Sequence, residues 1–274
     1  MSDLRSCPPA PRRAARAGGL VVAMVAIGLA GCKGVGLSDV TGSISPAAAS
    51  ADPGVLRNQA EELGKRYERR PDDAKAAIAY AKALRAQDQQ TQAVAVLQNA
   101  ATRNPRDMEL LGAYGKALAD AGRFREAAAV LPRAHTPDRP NWSVLSTQGA
   151  VADQMGDNKL AQQYYEAALK IAPGEPSVLT NLGLSYALTK DLPRAETTLR
   201  QAAAHPRADM RMRQNLALVL ALQGKYDEAE RVAARDLSPA DAAANVASIR
   251  RMIAESNTWQ KIQQVGKPAP PRRG

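Results

Sequence analysis

The chain has 274 residues, a formal net charge of +10 and 45% hydrophobic residues, yet only 4% are aromatic and Phe124 is its single phenylalanine. That composition excludes a core built on large rings and leaves Ala, Leu and Val to pack closely spaced helices. Alternating β-branched runs are nearly absent, so the fold class is predicted to be all-α. The basic excess suits anionic partners such as lipid headgroups, nucleic acid or cell-wall polymer, but the basic residues are dispersed, as on an ordinary solvated surface.

In chain order, Arg12, Arg13 and Arg16 precede the apolar run LVVAMVAIGLA (20–30). This run is shorter than the ~20 residues that cross a bilayer, and it has the basic–apolar–small order of a secretory signal. Leu29-Ala30-Gly31-Cys32 follows and resembles a bacterial lipobox. The resemblance implies cleavage before Cys32, which removes residues 1–31, and lipidation of Cys32 on its thiol and new amine. Cys7 lies in the leader, so the mature chain keeps one cysteine and forms no internal disulfide. Several acyl chains anchor durably where one binds only marginally. Lys33 stands where lipoproteins retained in the inner membrane carry Asp, so the resemblance implies an outer membrane lipoprotein facing the periplasm. The leader carries +3 (Arg5, Arg12, Arg13 and Arg16 against Asp3), leaving +7 for the rest.

Residues 32–53 are rich in Gly, Ser and Ala and read as a flexible tether with an r.m.s. reach of roughly 25 Å. Asp52-Pro53 supplies a cap and first-turn proline for a helix with Leu56, Ala60, Leu63 and Tyr67 on one face, ending before Pro71.

From there the chain repeats. Ala93, Ala127, Ala161, Ala195 and Ala229 are each 34 residues apart, one helix–turn–helix unit. Twelve residues before each stand Ala81, Gly115, Gly149, Gly183 and Ala217, small enough for the facing helix to approach closely. Sixteen before are Ala77, Leu111, Leu145, Leu179 and Arg213; seven after are Ala100, Ala134, Ala168, Ala202 and Asp236. Gly122, Gly156 and Gly224 fall where a tight helix hairpin needs a left-handed residue. This pattern resembles the tetratricopeptide repeat, with units near 74–107, 108–141, 142–175, 176–209 and 210–237. The resemblance implies a right-handed superhelical solenoid over 54–255. A helix at 239–255, with Ala242, Val246, Ile249 and Ile253 inward, would cap the last repeat. Asn257 is expected to end it, leaving 256–274, with Trp259 and the KPAPPRRG segment, as a Pro/Arg-rich tail.

Chemistry is sparse. His135 and His205 are seventy residues apart without a cluster of ligands at metal spacing, so they read as surface histidines and no cofactor or metal is expected. Gly34-Val35-Gly36 lacks the third glycine and the preceding strand of a nucleotide site. The adjacent acids Glu61-Glu62 and Asp72-Asp73 cannot face one cleft from one helix. Asn141-Trp142-Ser143 fits a glycosylation sequon by coincidence. No enzyme is indicated. Tyr165 is read as core and Tyr164 as an exposed edge; Trp259 either packs under the cap or anchors a partner.

The repeat resemblance also implies a ligand groove lined by the first helix of each unit. The implied positions are Asn181 and Asn215, Lys82 and Lys116, Arg85, Thr180, Gln214 and Arg211, with Lys75 beside them. Asparagine carries donor and acceptor together, so it can read a peptide backbone. The alternative is that these are merely the polar lining of a solvated groove. A carboxylate clamp of the kind known in the family is not complete at any pair of repeats. Finally, the lipobox, DVTGSI (39–44) and the Arg-Met-Ile…Asn-Thr-Trp segment (251–259) resemble TadD-type lipoproteins of tight-adherence (Flp) pilus systems. That resemblance implies protein partners (a secretin or other pilus-assembly components), with no nucleic acid. An envelope-maintenance adaptor recruiting cell-wall hydrolases or proteases is the alternative.

Overall fold

The computed structural model describes residues 53–265, so the leader, Cys32, the tether and the last nine residues lie outside the described residues. The described part is twelve α-helices without a named strand. In order they are α1 (Pro53–Arg69), α2 (Ala74–Ala86), α3 (Gln90–Arg103), α4 (Met108–Asp120), α5 (Phe124–Val130), α6 (Trp142–Gln154), α7 (Asn158–Ile171), α8 (Pro176–Leu188), α9 (Leu192–Ala204), α10 (Met210–Leu222), α11 (Tyr226–Ala233) and α12 (Pro239–Val265). Helices α2 to α11 form five hairpins stacked into a superhelical solenoid.

Each first helix starts on a side-chain cap, and the caps Asp73, Asp107, Asn141, Glu175 and Asp209 keep the 34-residue period. Asp73 accepts from the Ala76 N–H at 3.0 Å, and Asp107 and Asp209 accept from Leu110 and Met212 at 2.9 Å. The caps satisfy donors that the helix itself cannot. The hairpin turns obey a second rule. All five place one residue, five before the ladder alanine, at positive φ: Asp88 (60°), Gly122 (73°), Gly156 (86°), Lys190 (65°) and Gly224 (79°). Glycine was legible at three; the turn imposes the same backbone on Asp88 and Lys190 at a steric cost.

The five ladder alanines are all 0% exposed, each wedged at the crossing of its hairpin. Three of the small residues twelve positions earlier, the glycines, also make room for side chains. A Cβ built on Gly149 would lie 2.6 Å from Cε1 of Tyr165, one on Gly183 2.6 Å from Cγ of Leu199, and one on Gly115 would collide with Leu131. These glycines therefore hold room for a large side chain from the second half of the hairpin, a knob entering a hole, and at Gly183 the added Cβ would also lie 3.3 Å from the Ala195 carbonyl oxygen, so the facing backbone approaches closely there as well.

Helix α1 fills the place of a second helix ahead of the first hairpin. Gln87 donates to the Leu56 carbonyl at 3.2 Å, and Gln223 donates to the Leu192 carbonyl at 3.1 Å, both 31 residues back. Ala60 and Tyr67 are buried, Leu56 and Leu63 half-buried. At the other end α12 packs on α10 and α11, burying Ala242 and Val246 with Ile249 against the core. It runs to Val265, past Asn257 and with Trp259 on it, so the boundary expected at Glu255 is too early. Asn alone is a weak stop; Gly266 and Pro268 follow and supply a strong one.

Two departures from the repeat explain one another. Arg213 and Asp236, both off the apolar pattern, form a bidentate pair at 2.7 Å (Nε–Oδ2) and 2.5 Å (Nη2–Oδ1). Where four repeats place an apolar pair, the fifth places an ion pair. The second helix of repeat 2 also differs: α5 stops at Val130, and a 3-10 turn (Leu131–Arg133) and a loop to Asn141 replace its last turns. Pro132 has no N–H to continue the ladder, and Pro137 and Pro140 follow.

Candidate functional site

Successive first helices α2, α4, α6, α8 and α10 touch one another, whereas second helices meet chiefly their own and the next first helix. The first helices thus form the shorter, inner layer, and their outward-turned residues line a concave groove. Bonds between neighbouring first helices mark its floor. Arg85 Nε donates to Asp120 Oδ2 at 2.6 Å, Asn181 Nδ2 donates to Ser146 Oγ at 3.4 Å, and Ser185 Oγ donates to Asp153 Oδ1 at 2.8 Å.

The groove has three zones. In repeats 1 and 2 it is basic. Lys75 and Lys82 are exposed on α2, two turns apart on one face, and Lys116 occupies the register of Lys82 on α4. Lys116 is half-buried beside a cleft of about 190 Å³ between α4 and α6 that is lined by Glu109, Gly112, Asn141 and Thr147 among others. Burial pushes the Lys116 ammonium below its ordinary pKa, opposed by the nearby Asp120 carboxylate and reinforced by Arg85.

In repeat 3 the zone is one of hydroxyls and a carboxylate. Ser146 and Thr147 are buried, and Asp153 takes bonds from Ser185, from Asn158 (2.7 Å) and from the Tyr165 hydroxyl (3.1 Å). Burial raises the Asp153 carboxyl above the usual range despite these donors. Asp153 was missed in the sequence, although it stands eight before its ladder alanine, the register of Arg85. In repeats 4 and 5 the zone is amide and aliphatic. Asn181, Asn215, Gln214, Leu184 and Leu218 are all half-buried.

The predicted groove residues therefore divide. Lys82 is exposed on α2, Lys116 lines the cleft between α4 and α6, Asn181 bonds to the neighbouring first helix, and Asn215 and Gln214 are half-buried on α10. Arg85 is consumed by Asp120, so it stiffens the groove and is not offered to a ligand. Arg211 lies 3.6 Å from Asp209, the α10 cap. Thr180 is 8% exposed and donates to the Pro176 carbonyl at 2.7 Å, which withdraws its hydroxyl from the groove. A β-branched hydroxyl in a helix finds the carbonyl four residues back more readily than a ligand.

His135 is half-buried, Nε2 lying 3.0 Å from Gln148 Oε1, and His205 Nδ1 accepts from the Arg207 N–H at 3.1 Å. Tyr165 is core, as expected, while Tyr164 packs half-buried against the same cluster. Among the described residues no group of three His, Cys, Asp or Glu gathers as metal ligands, and no helix is long and apolar enough to cross a membrane.

Among solved structures, PilW, titled a widely conserved type IV pilus biogenesis factor, aligns with a TM-score of 0.63 at 16% identity, over 76% of this chain and 97% of that one. A thermophilic tetratricopeptide repeat protein of Thermus thermophilus aligns at 0.56 and 22% identity, over 64% and 98%. The Cut9–Hcn1 assembly aligns at 0.58 and 17% identity over 70% of this chain, which spans only 40% of that one. At these identities the likeness is one of fold. No curated protein sequence matches the chain. The tetratricopeptide repeat family model matches residues 81–140, 147–209 and 191–242, more than half of the sequence, and the chain belongs to that family.

Proposed function

We propose that this protein is a lipid-anchored adaptor of a bacterial pilus-assembly machinery, which grips an extended segment of a secretin or another assembly component in its concave groove. The observation that carries the reading is the groove itself. Asn181 and Asn215 stand one repeat apart on adjacent first helices, half-buried and able to donate and accept, on a scaffold fixed by caps and buried alanines. The match with PilW over almost all of that chain supports the pilus setting, and the lipobox at Cys32 supports the anchor. Confinement to a membrane raises effective concentration, so a weak groove suffices without extra contacts.

Two variants test the reading. Cys32→Ala is expected to move the protein out of the membrane fraction and to reduce surface pili. Asn181→Ala/Asn215→Ala is expected to leave fractionation intact while secretin or pilus proteins no longer co-purify. Normal piliation in both strains would overturn the pilus reading, and hydrolases or proteases in place of pilus proteins would favour envelope maintenance.

A further inference from the structure

The repeats are not joined alike. At two places a glutamine in one register clasps the preceding helix: Gln87 donates to the Leu56 carbonyl and Gln223 to the Leu192 carbonyl. The same register between repeats 2 and 3 holds Met155, which has no donor and is 52% exposed. A cleft of about 460 Å³ opens there, lined by Phe124, Arg125, Gln154 and Met155 among others. At the other end of α5 the 3-10 turn and the proline loop replace its last turns, and α5 touches α6 less than any other second helix touches the helix after it. The core divides at the same place: Val144 and Val151 of α6 pack with repeats 1 and 2, Leu145 and Ala152 with repeats 3 to 5. The inner layer is close by contrast, since a Cβ on Gly112 would lie 3.1 Å from Cγ2 of Val144.

We infer that the junction of repeats 2 and 3 is a hinge. Repeats 1 and 2 swing as one body against repeats 3 to 5, pivoting on the contact of α4 with α6, while the outer layer opens and closes at Met155. A solenoid whose units touch only their neighbours bends where a neighbour interface is thinnest. Each body is tied internally. Arg85 bonds to Asp120 and Arg133 to the Pro105 carbonyl (2.8 Å) in the first; Ser185 bonds to Asp153 and Lys225 to Glu196 in the second. Helix α6 moves with repeat 3, because its most extensive packing is on α7. At the loop end, His135 Nε2 lies 3.0 Å from Gln148 Oε1, but it is carried by the proline loop and not by a helix, so it follows the swing. Bending changes the curvature of the concave face between α4 and α6, and it does so whatever that face binds.

Spin labels carried on unnatural amino acids at positions 95, 163 and 231 test this in the full chain in detergent. Ala95, Gln163 and Arg231 are exposed and occupy one register on the second helices of repeats 1, 3 and 5. The pairs 95/163 and 163/231 each span two junctions, and only the first includes the hinge. By double electron–electron resonance, the 95/163 distance distribution is expected to be at least about twice as wide as that of 163/231. Met155→Gln, at an exposed position, should donate to the Phe124 carbonyl as Gln87 and Gln223 do in their registers, narrowing 95/163 and leaving 163/231 unchanged. Equal widths in the wild type would overturn the inference. A wide 95/163 distribution that Met155→Gln does not narrow would place the bending outside this junction and overturn it as well.

Discussion

In repeats 1 and 2 the core cluster runs from Tyr67 to Val144 and Val151; in repeats 3 to 5 a second begins at Leu145 and Ala152 and ends at Val246. Each is built on its own buried alanines of the 34-residue ladder, and they meet on one helix, α6, whose residues 144–152 are all buried. One face of α6 serves each cluster, so it is apolar nearly all round and tolerates Ser146, Thr147 and Gln148 inside. The junction feeding it is the sparsest between consecutive repeats, because Pro132 cuts α5 short. The outer surfaces differ more. The position after the ladder alanine is Val94 and Ala128 in repeats 1 and 2, but Glu196 in repeat 4, where it gathers Lys225, Arg200 and Gln223 at 2.6–2.8 Å. The lesson is that a repeat fixes its hairpin crossing strictly and leaves groove and edge free to specialise, half by half.

The strongest way to break this comparison is to overpack one half. Ala195→Leu forces three extra carbons into a fully buried crossing and is expected to cost about 3 kcal/mol. Hydrogen exchange should lose protection across 142–233 well before 74–120. Equal loss in both halves would show that α6 couples them into one cooperative unit.

Next in size is the charged edge of repeat 4. Burial pushes the Glu196 carboxyl up, but bonds from Lys225, Arg200 and Gln223 outweigh it and bring the pKa down to about 2. A depressed carboxylate contributes stability above its unfolded pKa of 4.5 and loses it as pH falls toward 2. With Arg200 and Lys225 more than 40% exposed, the contribution is about 2 kcal/mol. Urea unfolding at pH 5 and pH 3 should show wild type and Glu196→Gln converging at the lower pH; a constant gap would assign the effect elsewhere.

The ion pair of repeat 5 comes third. Arg213→Ala leaves Asp236 partly buried and unpaired, and should cost about 1–2 kcal/mol. Arg213→Leu with Asp236→Ala restores the apolar pair of repeats 2 to 4 and should recover all of it. A double variant no better than the single one would mean that the fifth hairpin is shaped around the charges. The smallest effect is at the turns: Lys190→Gly should stabilise by about 0.5–1 kcal/mol by relieving positive φ, and Gly156→Ala should destabilise by about 1 kcal/mol. Thermal melts would resolve both.

Much of this architecture was legible in the chain. The hairpin crossing demands a methyl-sized residue, few residues satisfy it, and so Ala93 to Ala229 recur at constant pitch. The caps Asp73 to Asp209 were equally regular but are chemically mixed (Asp, Asn, Glu), and a search by identity passes over them. Groove residues were harder to read. The family register points to Lys116, Asn181 and Asn215 as groove residues, but register says nothing of what a neighbour does, and Arg85 and Thr180 are engaged by Asp120 and Pro176.

By itself the sequence determined the period, the helix count per unit and the positions that must be small, because backbone geometry and close packing act within 34 residues. Tertiary structure alone decided which glycines admit a ring or an isobutyl group, that Arg213 finds Asp236, and that α6 is shared by two cores. Each of these depends on side chains from different helices meeting, and that distance is set only when the hairpins stack.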